Sequence, residues 1–268
     1  YTVSFDGVLR QIALSDLSVK TILGDSSDAR SVDGMGAVAR LGLGFGQPAL
    51  SKTDDTLYYL DRSANSIRKV DTKALTIQTV AGAKEPEAST DGSLSISRFV
   101  SPAALAKTAD GQRLFVADED ASCIREINRQ TAQVRTLAGR CGSSGSADGP
   151  ALQARFSSPK GLAVDDGNQQ LFVTDADDGT VRVINLSTET VRTLSGKAGV
   201  LEATDGDAMT ARFDRPGAIA LDAGRKRLYV AETMGSNAGL GFPNGRAVIR
   251  QVDTESGETK TLVGSARA

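Results

Sequence analysis

The segment Asp148 to Gly196 reads DGPALQARFSSPKGLAVDDGNQQLFVTDADDGTVRVINLSTETVRTLSG. It opens on a turn dipeptide, and an apolar run follows Pro159. Leu171–Asp175 then carries an aromatic and ends in an acid, and two further runs lie around Val181-Arg182 and Val191–Leu194. Asp, Gly, Asn and Ser separate these runs, as expected of turns between strands. β-Branched and aromatic residues within them suit a pleated, half-buried surface. No helical period extends over a comparable window, so the segment predicts four short strands joined by hairpins.

The same pattern recurs on both sides. Asp-Gly pairs stand at Asp33-Gly34, Asp91-Gly92, Asp148-Gly149 and Asp205-Gly206, at spacings of 58, 57 and 57 residues. Seven residues after each Asp comes an Arg: Arg40, Arg98, Arg155 and Arg212. Phe-x-x-Pro follows at Phe45/Pro48, Phe99/Pro102, Phe156/Pro159 and Phe213/Pro216, with four extra residues before Phe45. A second Arg recurs at Arg68, Arg125, Arg182 and Arg250, each fourteen residues before a Gly: Gly82, Gly139, Gly196 and Gly264. Arg10 and Gly24 fit the same frame. A period of this length, four strands per unit, predicts an all-β fold, a β-propeller of four-stranded antiparallel blades. We read residues 1–268 as one propeller of five blades, at about 1–24, 33–82, 91–139, 148–196 and 205–264. The first blade lacks its innermost strand at the N-terminus; the alternative is a six-bladed parent truncated at both ends, whose open edge would invite pairing.

The repeat resembles the NHL-repeat β-propeller family. The residues that carry the likeness are Asp148-Gly149, Ala154-Arg155-Phe156, Pro159 with Gly161–Asp165, Leu171-Phe172-Val173 with Asp175, Val181-Arg182, and Val191–Leu194 with Gly196. The resemblance covers nearly the whole chain and implies the fold. It leaves function open, because the family and related propellers serve protein binding, RNA binding and hydrolysis.

Composition narrows the functions. The 31 Lys and Arg against 33 Asp and Glu give a net charge of −2, a poor basis for a protein that neutralises phosphates. There is no His, which removes every mechanism that needs an imidazole base or ligand. No apolar run is long enough to span a membrane. Of the eight Phe and four Tyr, Phe45, Phe99, Phe156 and Phe213 share one phase, and Tyr58, Phe115, Phe172 and Tyr229 another. Few aromatics are left for stacking on bases, so nucleic acid is an unfavoured partner. The chain opens at Tyr1 with neither Met nor signal peptide, which reads as part of a larger multidomain protein.

A residue at one phase in every blade builds the blade. Asp33, Asp91, Asp148 and Asp205 are therefore expected to pair with Arg40, Arg98, Arg155 and Arg212 and hold the loop between blades. Function is sought where the repeat breaks. The loops between the second and third strands are acidic at Asp118-Glu119-Asp120 and at Asp175 to Asp178, with Glu232 in phase. Asp118, Asp120, Asp175, Asp177, Asp178 and Glu232 could face a basic ligand, and Asp118, Asp175 and Glu232 could hold Ca2+. The bland alternative caps the turn with the first acid and solvates the rest. The last such loop is about eleven residues longer than its counterparts and carries Met234, Asn237, Leu240, Phe242 and Arg246, either as a binding surface or as a plug.

Cys123 and Cys141 could form a disulfide, which would favour an extracellular or lumenal location, or remain two thiols. Asn185-Leu186-Ser187 is a glycosylation sequon at a hairpin. The leading expectation is a non-catalytic interaction propeller that binds a protein, peptide or glycan on the second-to-third-strand loops, without a cofactor. The alternatives are a calcium-dependent hydrolase or lyase with carboxylates at the channel, where Glu232, Asn237 and Asp175 supply residue types used by lactonase-like propellers, and an RNA-binding domain.

Overall fold

A computed structural model describes residues 2–3, 7–28, 30–42, 49–50, 55–84, 87–234 and 246–264. The described chain is all-β apart from two short 3-10 turns, Gly36–Val38 and Ala223–Arg225. Blade 4 sets the pattern, with strands Pro159–Asp165, Gln170–Asp175, Thr180–Asn185 and Thr190–Gly196 in sequential antiparallel order. Its fifth, two-residue strand, Gly149–Pro150, pairs with the outermost strand. Blade 3 repeats this with Pro102–Lys107, Arg113–Asp118, Cys123–Asn128, Gln133–Gly139 and Gly92–Ser93. Blade 2 is built from Ala49–Leu50, Thr56–Asp61, Ser66–Asp71, Thr76–Gly82 and Gly34–Met35. Blade 5 has Pro216–Asp222, Arg227–Met234, Arg246–Asp253 and Thr259–Val263, and blade 1 has Thr2–Val3, Val8–Ile12 and Val19–Gly24. None of the helices among the described residues is long and apolar enough to cross a membrane.

The chain divides into two compact units, Tyr1–Ala121 with Arg125–Arg135, and Ser122–Ile124 with Thr136–Ala268. In the first unit, Leu9, Leu23, Leu41, Leu57, Tyr59 and Val70 form one core cluster, and Tyr58, Ile67, Phe99, Leu114, Val116 and Ile127 form another. In the second unit, Phe172, Val181, Val183, Phe213, Ile219, Leu228 and Val230 pack as a single cluster. The period of two along each strand sends alternate side chains to opposite faces. Tyr58 and Tyr59 are adjacent and both buried, in different clusters, so neighbouring positions of one strand serve two packing layers.

The largest fully buried side chains in blades 2 to 5 are Arg68, Arg125, Arg182 and Arg250. Each lies on the third strand and binds the Asp of the Asp-Gly pair. Arg68 Nη2 donates to Asp33 at 2.8 Å, Arg125 Nη2 to Asp91 at 2.6 Å and Arg250 Nη2 to Asp205 at 2.8 Å, and Arg182 Nη2 donates to Asp148. The expected pairing of these Asp residues with the Arg seven positions on is thus corrected. Arg98, Arg155 and Arg212 turn back onto nearby carbonyls such as Ser97, Ala154 and Ala211. Arg40 reaches Ala39 O and Asp28. Seven residues bridge only one short turn, whereas the third-strand Arg comes from inside the sheet and closes a long loop with its rigid fork.

The fork makes more contacts. Nη1 of Arg125, Arg182 and Arg250 donates to the carbonyls of Arg98, Arg155 and Arg212 at 3.0, 3.1 and 3.0 Å. The guanidinium carbons of the same three lie 5.3, 5.1 and 5.3 Å from the ring centroids of Phe99, Phe156 and Phe213. This cation–π contact gives the repeated Phe its function. Opposite the Arg, the outermost strand carries one extra residue: Arg182 pairs with Thr193 while Val181 pairs with Ser195, and Arg250 pairs with Thr261 while Ile249 pairs with Val263. The bulge aims a Thr at the same Asp: Thr193 N donates to Asp148 at 2.9 Å and Thr79 N to Asp33 at 2.9 Å. Two residues beyond the bulge Gly196 adopts φ +99°, and a Cβ there would stand 2.5 Å from Gly179 O.

Cys123 and Cys141, both in the second unit, are joined as a disulfide. It closes a separation of 18 residues, for which chain entropy gives a stabilisation of about 3 kcal/mol. Cys141→Ser is expected to lose about that much in urea unfolding, with an equal or steeper transition slope because the unfolded chain is released from the loop. Arg182→Met should cost about 3–5 kcal/mol, because Asp148 and Asp175 lose their buried counter-ion. Arg155→Ala should cost about 1 kcal/mol or less, since its guanidinium bonds local carbonyls in a partly exposed turn. Equal losses in the two variants would show that the buried fork is not the organising contact.

Candidate functional site

The acids ending the second strands have internal partners. Asp118 accepts from Ser101 N at 2.7 Å, from Val100 N at 3.0 Å and from the Ser89 hydroxyl, and it lies 3.8 Å from Arg125. Asp175 accepts from Ser158 N at 2.7 Å and Ser157 N at 3.0 Å and lies 3.7 Å from Arg182. Glu232 accepts from Asp214 N at 2.7 Å and from Arg250 at 2.9 Å. All three are fully buried. Asp118, Asp175 and Glu232, named above as candidates for a ligand or a Ca2+ ion, thus place their oxygens as the turn-capping alternative has them. Their oxygens hold the backbone after the repeated Phe and balance the buried Arg. Among the described residues no group of three or more acids and cysteines is placed to hold a metal ion.

Burial pushes the Asp175 carboxyl up to about 6, against the N–H groups of Ser158 and Ser157, with the neighbouring Asp178 charge acting in the same direction as burial. Burial likewise takes Glu232 up to about 7, opposed by the Asp214 N–H and by Arg250. Asp178 is also raised by burial, and its Oδ2 has no hydrogen-bond partner among the described residues. Asp120 is exposed, and so is Asp177, which lies 4.0 Å from Arg215 Nε. Of the acidic residues expected in the site, Asp120 and Asp177 are those the structure leaves on the surface.

Met234 ends one strand of blade 5 and Arg246 begins the next, opposite it in register. Asn237, Leu240 and Phe242 lie outside the described residues. In the first unit a cavity of about 730 Å3 is bordered by Arg30, Ser31, Ser63, Ser66, Arg68 and Lys84, none of which the repeat pattern marked as a site. The signal was present: at the phases of Ser63 and Lys84 the other blades carry Asp120 and Asp177, and Cys141 and Ala198.

The repeating four-stranded blade, closed in blades 2 to 5 by a buried Arg, defines a β-propeller protein. No known protein-family profile matches the chain. It is 27% identical over 143 residues to NHL repeat-containing protein 2 of Bos taurus, a stretch covering 50% of this chain and 20% of that protein. The repeats of this chain are thus similar to those of NHL repeat-containing proteins. An auxiliary nutrient binding protein from Bacteroides thetaiotaomicron superposes with TM-score 0.58 at 14% identity, over 80% of this chain and 47% of that one. A chain of a nidogen/laminin complex superposes with TM-score 0.51 at 14% identity, over 94% and 89%. The matched portion is thus a small part of the sequence relative and about half of the first structural one.

The raised carboxyls fix the sign of a pH dependence. Asp175 and Glu232 ordinarily titrate at 3.8 and 4.5 and here at about 6 and about 7, so in between the folded chain holds more protons than the unfolded one. Stability contributed by the protonated forms is present at low pH and is lost as the pH rises through the folded values. The thermal midpoint should be higher at about pH 5 than at about pH 8, and Asp175→Asn should flatten that slope. A midpoint that rises across this window would contradict the assignment.

Proposed function

We propose that the chain is a non-catalytic binding scaffold whose partner, a protein, peptide or glycan, sits on the loops between second and third strands. The observation that carries this reading is the internal use of the repeated charges. Asp33, Asp148, Asp205, Asp118, Asp175 and Glu232 all serve buried Arg residues, so these repeated acids are committed to holding the blade. What distinguishes one blade from another lies in its loops. In the second unit these are the exposed Asp177 with Arg215 beside it, and the extended 234–246 segment, whose Met234, Asn237, Leu240, Phe242 and Arg246 are the proposed contacts. A nutrient binding protein and a laminin-complex component on the same fold support a binding role without specifying the ligand. The carboxylates available for a hydrolase reading are those already engaged by Arg182 and Arg250.

Two experiments test the reading. A short Gly-Ser turn replacing 235–245 should abolish retention of the partner, seen by cross-linking and glycan-array binding, while the thermal midpoint stays within a few degrees. Partner binding that survives the graft overturns the assignment to this loop. RNA binding should be absent at moderate salt; retention with a steep salt slope would favour a nucleic-acid partner instead.

A further inference from the structure

We propose that Asn185 is an acceptor for N-linked glycosylation and that the depression of about 140 Å3 beside it seats the first sugar. The site is the hairpin between the third and fourth strands of blade 4. The strand Thr180–Asn185 separates it from the acidic loop that precedes Thr180. It therefore stands at the opposite end of the blade from the loops assigned above and does not depend on that assignment.

Four hairpins of the repeat are capped alike. The residue ending the third strand is Asp71, Asn128, Asn185 or Asp253, and its Oδ1 accepts from the N–H groups two and three residues on. For Asn185 the donors are Ser187 N at 2.9 Å and Thr188 N at 2.8 Å. They fix the oxygen on the turn side of the amide, and Nδ2 has no hydrogen-bond partner among the described residues. The cap needs only an acceptor, which a carboxylate supplies in blades 2 and 5, so the amide nitrogen is free for other chemistry. Two residues on, the hairpins diverge. Blade 2 has Lys73, paired with Asp55 at 2.6 Å, and blade 5 has Glu255, paired with Lys226 at 2.6 Å. Blade 3 has Gln130, and blade 4 has the exposed Ser187, whose hydroxyl makes no hydrogen bond among the described residues. Of the six Asn residues in the chain, Asn185 alone has a Ser or Thr in that place. Between the two, Leu186 is buried and its N–H donates to Gln169 O at 2.8 Å. The middle residue is thus anchored, and the amide and hydroxyl stay at the open end of the hairpin.

In the transfer, Nδ2 bonds to the anomeric carbon of a lipid-pyrophosphate-linked oligosaccharide. The bond from that carbon to the pyrophosphate oxygen breaks, the lipid pyrophosphate leaves with the electron pair, and Nδ2 gives one proton to a carboxylate of the transferase. The depression beside the amide is bordered by Gln170, Val183, Asn185, Thr190 and Arg192. Register places Gln170, Asn185 and Thr190 in one row across three strands, and Val183 opposite Arg192 in the row two residues away on the same face. Val183 is a buried apolar floor. The Gln170 amide and the exposed Arg192 guanidinium make no hydrogen bond among the described residues, and the Thr190 hydroxyl lies 2.9 Å from that of Thr188. Free donors and an acceptor around an apolar floor suit the hydroxyls and acetamido group of a sugar. The disulfide of Cys123 and Cys141, in the same unit, fits an oxidising compartment, which is where such transferases act.

The test expresses the 268-residue chain in a mammalian cell line behind a cleavable secretion signal and reads the Asn185 peptide by mass spectrometry. Most of the chain should carry a glycan there, and peptide N-glycosidase in heavy-oxygen water should convert that Asn to a labelled Asp. Asn185→Asp keeps the turn acceptor used in blades 2 and 5, and Ser187→Ala keeps the amide; both should lose the glycan and remain folded. Chain retained inside the cell is read by the same peptide, and an unmodified Asn185 in both pools overturns the site. The seat is tested separately. After an endoglycosidase trims the glycan to its first sugar, the thermal midpoint should exceed that of Ser187→Ala by about 2 °C, and Arg192→Ala should remove the gain. No gain, or a gain that survives Arg192→Ala, overturns the seating of the sugar in the depression.

Discussion

A guanidinium taken out of water has to bring its counter-charges with it, and this requirement organises every complete blade. Burying a cation alone is prohibitive, and burying it with one carboxylate is close to neutral. Here the fork of Arg250 meets two carboxylates, two carbonyls and an aromatic face. The interaction is directional on all sides, so it fixes the Asp-Gly turn, the backbone after Phe213 and the ends of two strands at once. A hydrophobic residue of similar volume could fill the space without fixing any of them. The stability gained is modest by comparison with the specificity: the same sequence period could pair its strands in other registers, and the Arg meets its partners in one of them.

The fold was legible because its signals are periodic. The five recurring Arg–Gly intervals, the Phe-x-x-Pro turns and the hairpin-separated apolar runs predict antiparallel sheets of a β-propeller, and the described chain folds into such sheets. The pairing of charges was less legible. Asp148 and Arg155 are near in sequence and look like partners, yet the bond goes to Arg182 on the third strand. Sequence distance misleads here because an Arg inside a sheet reaches across the blade to a loop that the chain has long since left. Thr193 belongs to the repeat, but its part depends on a bulge, which a list of strands does not reveal.

The site was legible only by subtraction. Asp118 and Asp175 looked like functional acids because they cluster with others in sequence, but recurrence at one phase was the stronger clue, and it pointed to structure. Asp120 and Asp177, off that phase, are the ones that reach the surface. The most individual blade-2 residues, Ser63, Ser66 and Lys84, are chemically plain and escape any search for acids, cysteines or aromatics. Comparing blades position by position exposes them, because a hydroxyl standing where a neighbouring repeat has a cysteine is an informative difference.

The bulge opposite each third-strand Arg also governs where such a chain can change length. Fourteen residues separate Arg and Gly in all five repeats, whereas Arg40 and Phe45 are four residues further apart than their counterparts and the 234–246 loop is about eleven residues longer. Removing one residue between Arg182 and Gly196 would turn the following side chains to the opposite face and take Thr193 away from Asp148. Adding residues between strands leaves the clasp untouched. Gene duplication followed by drift would accordingly retain insertions in the loops and purge them from the Arg-to-Gly interval, leaving each blade with a rigid ruler and a freely variable margin.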